Sequence, residues 1–264
     1  MLSTLAEETP IAQSWTAERQ FIRDIASGYK SPSGNFPYLV MMKAYLDESD
    51  HSNGEVCVIA GFIGAEEQWS AFVEDWKLAL GQRQHLHMND LRWKHPRTAR
   101  LLARLGPIPD KHGLIRICGQ VRHEDYRDLI KGRVSDEFAK PWMIAMQLCI
   151  IQTLRWLPAN ETVEFIFEQQ EQFKPYVGYL HDAVFQIGKH DPRVISIHFI
   201  KKGATHCTEA ADYLAFEICE HLRNPDSEKS RMGRSIVGDG QAIGAAYQRE
   251  HMTDLVRDFY LKGG

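Results

Sequence analysis

The sequence predicts an α/β fold in which one mixed β-sheet is flanked by helices. Short, largely apolar segments alternate along the chain with longer segments of helical periodicity. In the second half, predicted strands and helices alternate regularly, as in a sheet that is extended by crossover helices. A chain of 264 residues with 44% apolar side chains also has enough apolar material for one sizeable core.

The predicted sheet begins after an N-terminal segment, residues 1–37, that carries one short helix at 16–26 and a linker rich in turn residues. The run 38–46 is almost wholly apolar, which is typical of a strand covered on both faces. Residues 51–54 have turn chemistry, and residues 55–63 form a second apolar run. This pattern predicts a hairpin.

Apolar spacing predicts a helix over residues 64–80. One helical stripe is formed by Trp69, Phe72, Val73, Trp76 and Leu80. The polar segment 81–112 follows, with a short helix expected at 98–105, and residues 113–121 alternate as a third strand. We therefore interpret residues 64–112 as a helical insertion in the sheet domain.

The remaining predicted elements are a helical turn (123–130), an apolar helix (138–157), a strand (161–168), a helix (172–188), a strand (194–200) and a closing helix (208–222). Residues 223–245 are polar and interrupted by glycines, which predicts a mobile loop. Residues 247–260 predict a last, peripheral helix. The sequence thus predicts a sheet domain over 38–222. It also predicts a C-terminal extension over 223–264, which consists of the loop and the last helix.

Charge and composition restrict the partners and the compartment. A net charge of −4 excludes binding of nucleic acid through bulk charge, so a polyanion site would have to be a local patch. The longest apolar stretch, 141–154, is shorter than the ~18 residues of a membrane span, and the N-terminus lacks the features of a secretory signal. Five cysteines without a C-x-x-C pair indicate neither a disulfide framework nor a zinc knuckle. We therefore expect a cytoplasmic protein that does not contact membranes, and the oligomeric state is left open.

Three carboxylates occupy positions that suit metal chemistry. Asp47 follows the first apolar run, Glu168 ends the strand V-E-F-I-F-E, and Asp212 lies in an apolar turn of the closing helix. Enzymes that transfer phosphoryl groups with two Mg²⁺ or Mn²⁺ ions need converging oxygen ligands, and strand ends let a carboxylate contact both core and solvent. Each acid taken singly has a structural explanation as a turn residue, a cap or an ion-pair partner. Together they predict one acidic site.

Four short motifs resemble those of the DUF3800 family. In chain order they are Y-L-D-E-S (45–49), V-I-A-G-F-I (58–63), L-H-M-N-D-L (86–91) and E-A-A-D-Y-L-A (209–215). The resemblance covers residues 38–222 and implies a ribonuclease H-like fold with the activity of a metal-dependent nuclease. The chain departs from the family pattern at Asp50, Glu209 and Tyr213, and its later strand ends in Glu instead of Asp.

The resemblance also implies roles for individual residues. Asp47, Glu168 and Asp212 would be catalytic and would hold Mg²⁺ or Mn²⁺, with Glu48 and Glu209 as secondary candidate ligands. The histidine-rich segment itself, apart from the resemblance, suggests that His87 approaches these acids as an acid/base group or phosphate contact, for which its near-neutral pKa is suited.

The departures from the family pattern leave a second function open. The extra acids at Asp50 and Glu209 would also fit a chain that kept the fold and lost the metal site. Such a chain would be a non-catalytic module that binds nucleic acid or a partner protein.

A basic segment lies within the predicted insertion. Residues 83–104 hold six Lys or Arg and one acid, a local charge of +5. The predicted contacts to nucleic acid are Arg83, Arg92, Trp93, Lys94, Arg97, Arg100 and Arg104, because a phosphate backbone attracts cations and a base stacks on an aromatic ring. The structural alternative is a solvated helix face that Trp93, Leu101 and Leu102 anchor in the core.

The same segment offers a histidine-rich alternative. His85-x-His87 places two imidazoles on one face of an extended segment, with Asp90 and His95 nearby. Imidazole suits zinc, but no fourth ligand is set by the spacing, and 12 histidines make chance pairs common. A zinc hydrolase built on His85, His87 and Asp90 is therefore the weakest of the alternatives.

Overall fold

The structure of the protein is a computed structural model, which describes residues 40–50, 55–131, 140–169, 191–238 and 240–246. All of these residues belong to the unit Val40–Gly264. The helices predicted at 16–26, 172–188 and 247–260 lie outside the described residues, as does the 51–54 turn.

The described residues contain six strands, which are β1 (Met41–Asp50), β2 (Val56–Ala65), β3 (Ile115–Arg122), β4 (Thr162–Glu168), β5 (Val194–Ile200) and β6 (Ala242–Ala246). They form one mixed sheet in the order β5-β4-β1-β2-β3-β6. β2 is antiparallel to both β1 and β3, whereas β4 is parallel to β1 and to β5, and β6 is parallel to β3. The predicted α/β class with a mixed sheet is confirmed, and β1 and β2 pair as predicted for a hairpin.

The described helices are α1 (Glu66–Leu80), α2 (Pro96–Leu105), α3 (Ile108–Lys111), α4 (His123–Leu129), α5 (Pro141–Trp156), α6 (His206–Arg223) and α7 (Glu228–Gly233). Two 3-10 turns are Met88–Asp90 and Arg234–Ile236. The apolar stripe predicted for α1 is buried over its whole length. Within the described residues, none of the helices has the length and apolar character needed to cross a membrane. All five cysteines are present as thiols.

The sheet separates two hydrophobic cores. On β1, Leu46 belongs to the core that contains α5, whereas Tyr45 belongs to the core that contains α1 and α6. On β4, Phe167 belongs to the core that contains α5, whereas Ile166 belongs to the core that contains α1 and α6. Successive side chains of a strand point to opposite faces, so the face of every residue on β1 and β4 is determined by this alternation.

The segment 223–245 is not the predicted loop but contains α7, a 3-10 turn and most of β6, which extends the sheet beyond β3. Its glycines have a packing role. A Cβ at Gly238 or Gly240 would lie 2.1 or 2.2 Å from the carboxylate oxygens of Asp110. That carboxylate pairs with the buried Arg116 at 2.7 Å. The prediction was wrong because these glycines allow the backbone to lie close over the Asp110–Arg116 ion pair.

Candidate functional site

Two of the predicted carboxylates lie side by side on the central strands. β1 and β4 run parallel with Leu46 opposite Phe167, so the next residue on each strand, Asp47 and Glu168, occupies the same level of the sheet. By the alternation along each strand, both side chains belong to the face covered by α6. Asp47 is 3% exposed and Glu168 is 5% exposed. The sheet thus places two buried acids next to each other.

The third predicted carboxylate comes from the helix above this face. Asp212 lies on α6, which packs against β1 and β2. Burial raises the pKa of Glu168, and the charge of Asp212 raises it further, while Thr208, the Gly203 amide and Lys202 act in the opposite direction. Glu168 and Asp212 therefore repel each other across the gap between β4 and α6. Like-charged acids held close together are a natural site for a cation.

Asp212 is held in place by the segment before α2. His87 Nδ1 lies 3.0 Å from Asp212 Oδ2, and the Met88 backbone N–H donates to the same oxygen at 2.9 Å. Lys202 Nζ lies against His87 Nε2. Because an ammonium only donates, Nε2 accepts from it and Nδ1–H donates to Asp212. His87 thus orients Asp212, and the Asp212 hydrogen bond raises the pKa of His87.

Lys202 was not predicted from the sequence. It follows β5 in the turn Lys201–Ala204, and nothing in its local pattern distinguishes it from any other exposed lysine. Its place beside His87 depends on the packing of β5 next to β4.

Glu48, a secondary candidate ligand, lies on the wrong face of the sheet. It follows Asp47 directly on β1, so its side chain points away from α6. Consistent with this, Cys57 Sγ lies 3.9 Å from Glu48 Oε1, and Cys57 belongs to the core on the α5 side. Its backbone N–H still contributes to the site, because it donates to Asp47 Oδ1 at 2.7 Å.

Glu209, the other secondary candidate, belongs to a second cluster on α6. Its Oε1 lies 2.9 Å from His206 Nδ1 and 3.2 Å from His85 Nδ1, and its Oε2 accepts from Trp76 Nε1 at 2.9 Å. Among the described residues, His85, His206 and Glu209 are the one group of three metal-binding side chains whose ligand atoms all lie within 4.8 Å of one another. This cluster could hold a metal ion. Asp47, Glu168 and Asp212 do not form such a group of three among the described residues.

The zinc alternative built on His85, His87 and Asp90 is not supported, because His87 turns to Asp212 instead. His206 was missed in the sequence, although His206 and Glu209 have the i, i+3 spacing that places two side chains on one helix face. Attention to that spacing would have found two of the three members of the cluster.

The basic segment has a buried anchor and an exposed basic face. Trp93 stacks on Phe216 of α6, with ring centroids 5.1 Å apart and planes at 10°, and Lys229 Nζ lies 5.6 Å from the Trp93 ring. One face of Trp93 is therefore used within the fold, as the structural alternative predicted. On α2, Leu101 and Leu102 are buried. The exposed basic residues of the segment are Arg83, Arg92, Lys94, Arg97, Arg100 and Arg104.

The chain matches neither a protein-family model nor a curated protein. Function must therefore be inferred from the chemistry of the site itself.

Proposed function

We propose that the protein is a metal-dependent nuclease of ribonuclease H-like type, which hydrolyses phosphodiester bonds in nucleic acid. The observation that carries this proposal is the placement of Asp47, Glu168 and Asp212 on one face of the sheet. Two of these acids are buried on adjacent parallel strands, and the third faces them from α6.

The architecture supports the same proposal. In chain order the elements are β1, β2, the helical insertion, β3, α5, β4, β5 and α6. Together with the helix that the sequence predicts at 172–188, this is the order expected of a ribonuclease H-like fold. β1 is central, pairs with β2 on one side and with β4 on the other, and carries Asp47. The motifs that resemble the DUF3800 family include Asp47 and Asp212.

The donor set fits a hard divalent cation. Mg²⁺ and Mn²⁺ prefer oxygen ligands. Burial, together with the charge of Asp212, disfavours the ionised form of Glu168 and raises its pKa. Mg²⁺ or Mn²⁺ held by Asp47, Glu168 and Asp212 would lower the pKa of a bound water and stabilise the charge on the leaving oxygen.

Neighbouring residues keep the acids in position. The Glu48 amide fixes Asp47 Oδ1, while His87 and the Met88 amide fix Asp212 Oδ2. In this role His87 is a positioning residue. Lys202 adds a positive charge beside His87 at the edge of the site, where it would attract the phosphate of a substrate.

The basic face of α2 is the proposed contact for the nucleic-acid strand. Arg97, Arg100 and Arg104 follow the i, i+3, i+7 spacing of one helix face and are exposed. Their buried neighbours Leu101 and Leu105 fix the orientation of the helix. An exposed arginine stripe suits backbone phosphates, whose binding depends on charge and weakens with salt.

The proposal is tested by incubating end-labelled single- and double-stranded DNA and RNA with the protein in Mn²⁺, Mg²⁺ or EDTA. We expect metal-dependent cleavage that is abolished by Asp47→Asn. The loss should exceed the roughly 10- to 100-fold loss expected for His87→Ala, because replacement of an outer positioning residue costs about that much.

The matched control is Asp75→Asn, which alters a carboxylate that pairs with Lys111 and His112 away from the site. This variant should cleave as the unchanged protein does. Equal cleavage by Asp47→Asn, or no cleavage of any of the four substrates, would contradict the proposal. Salt-sensitive binding that EDTA leaves unchanged would instead favour the non-catalytic module, for which the exposed stripe on α2 would suffice.

A further inference from the structure

We propose that His85, His206 and Glu209 form a second metal site, selective for a transition-metal ion such as Zn²⁺ and separate from the carboxylate site. Their ligand atoms all lie within 4.8 Å of one another, and the two separations that involve Glu209 are slightly shorter than such an ion requires. In a tetrahedral site with ligands ~2.0–2.2 Å from zinc, neighbouring ligand atoms are roughly 3.3 Å apart. Glu209 Oε1 lies 3.2 Å from His85 Nδ1 and 2.9 Å from His206 Nδ1.

Glu209 is prepared for this role by its surroundings. The side chain is 3% exposed, and Trp76 Nε1–H, on the fully buried ring of α1, donates to Oε2 at 2.9 Å. The indole thereby occupies one carboxylate oxygen and leaves Oε1 directed at both imidazoles. Outer hydrogen bonds of this kind orient metal ligands and hold them in one geometry.

The two imidazoles reach Glu209 from different parts of the chain. His206 is the first residue of α6, one turn before Glu209, whereas His85 belongs to the extended segment after α1. Without metal, each Nδ1–H donates to Oε1. To bind an ion, each ring would carry its proton on Nε2 and present the Nδ1 lone pair, so neither imidazole needs to change charge.

The ligand types select the metal. Two imidazoles and one carboxylate suit Zn²⁺ and its neighbours in the first transition row, whereas Mg²⁺ takes oxygen ligands. Three protein ligands leave the fourth tetrahedral position free, as in zinc sites that bind water or substrate. The His85 side chain is 60% exposed, so the open position is on the solvent side.

The second site is independent of the proposed nuclease centre, although the two are neighbours on α6. His85 pairs with Glu209 and His87 pairs with Asp212, so one extended segment contacts two carboxylates that lie i, i+3 on the helix. Each site keeps its own ligands. Loss of one site therefore need not remove the other.

The test is metal analysis of the purified full-length protein after addition of one equivalent of Zn²⁺, followed by dialysis against buffer treated to remove trace metals, so that unbound zinc is removed. We expect about one zinc per chain. Co²⁺ in place of zinc should give the visible absorption bands of a four-coordinate ion. Both signals should be lost in His206→Ala and in the exposed variant His85→Ala, which is the less disruptive of the two.

The control is His112→Ala, which removes an imidazole that pairs with a carboxylate, Asp75, outside the cluster. It should keep the zinc. Trp76→Phe should retain the site with roughly 10- to 100-fold weaker affinity. Zinc far below one equivalent, or full zinc in both His206→Ala and His85→Ala, would overturn the assignment.

Asp47→Asn separates this proposal from the nuclease proposal. The variant should bind zinc normally and lack cleavage. If the unchanged protein fails to bind zinc but still shows Mg²⁺-dependent cleavage, the proposal of the second site is wrong and the nuclease proposal stands.

Discussion

At the scale of single residues, the most unusual side chain outside the two sites is Glu217 on α6, which is 1% exposed. Its Oε1 accepts from Ser230 Oγ at 3.0 Å. Among the described residues, no group donates a hydrogen bond to Glu217 Oε2, and a Cβ on Gly233 would lie 2.1 Å from this oxygen. Burial raises the pKa of Glu217 to about 8, with Glu220 adding to the rise and Ser230 and Arg234 opposing it.

This raised pKa predicts that Glu217→Gln stabilises the protein at high pH. Between pH 4.5 and about 8 the folded protein keeps a proton that the unfolded chain releases. The contribution of Glu217 to stability is therefore fully present below pH 4.5 and is lost as pH rises towards 8. Glutamine stays neutral and can still accept from Ser230.

Urea unfolding at pH 4.5 and pH 8.5 measures this effect. The free energy of unfolding of Glu217→Gln should be close to that of the unchanged protein at the lower pH. At the higher pH, the free energy of unfolding of Glu217→Gln should exceed that of the unchanged protein by on the order of 3 kcal/mol. A difference that does not change with pH would show that Glu217 is ionised in the folded protein.

Single residues also show where sequence reasoning reaches its limit. Asp47 and Glu168 were predictable because strand alternation sets the face of each side chain, and Asp212 because one acid interrupts an apolar helix turn. Lys202 and His206 were not predicted, because their significance depends on contacts with His87 and His85, more than 100 positions earlier in the chain.

At the scale of elements, the sequence predicted the helices and strands that have strong periodicity and missed β6. The strands β1 to β5 are apolar or alternating runs of seven or more residues, and α1 has a clear stripe. In contrast, β6 is only five residues long. Two glycines shortly before it, Gly238 and Gly240, pack closely against the Asp110–Arg116 ion pair. Short edge strands carry little periodic signal, so their existence depends on the neighbouring strand.

The contact between β3 and α5 gives a prediction at this scale. A Cβ at Gly119 would lie 2.2 Å from the Ala145 carbonyl oxygen and 3.0 Å from Leu148 Cβ. Because the first of these is helix backbone, Gly119→Ala must push α5 away from the sheet, and we expect a loss of about 1–3 kcal/mol in the free energy of unfolding. The midpoint of urea unfolding reports this loss.

Gly244 on β6 provides the comparison for Gly119. A Cβ there would have its nearest neighbour, the Cys118 carbonyl oxygen, at 3.4 Å. Gly244→Ala should therefore leave the urea midpoint unchanged or raise it slightly, because alanine restricts the unfolded chain more than glycine does. Equal destabilisation by the two substitutions would mean that the close approach of α5 is not the cause.

At the scale of the whole molecule, the carboxylate site joins β1, β4 and α6, which are far apart in the sequence. Folding brings Asp47, Glu168 and Asp212 to one face, where burial and, to a smaller extent, repulsion by the charge of Asp212 raise the pKa of Glu168. A bound cation would relieve that repulsion only in the folded state. Binding to the folded state alone stabilises the entire protein by mass action.

We therefore predict that Mg²⁺ raises the thermal midpoint of unfolding, and that Glu168→Gln raises the midpoint without metal but removes the response. Saturation at 100 times Kd contributes about 2.7 kcal/mol, or roughly 5–10 °C for a domain of this size. Circular dichroism at 222 nm, a standard helix wavelength, with and without EDTA, measures both effects. Because Mg²⁺ avoids imidazole, His206→Ala should respond as the unchanged protein does. An equal Mg²⁺ response in Glu168→Gln would place the ion elsewhere and remove the basis for a nuclease centre on this face.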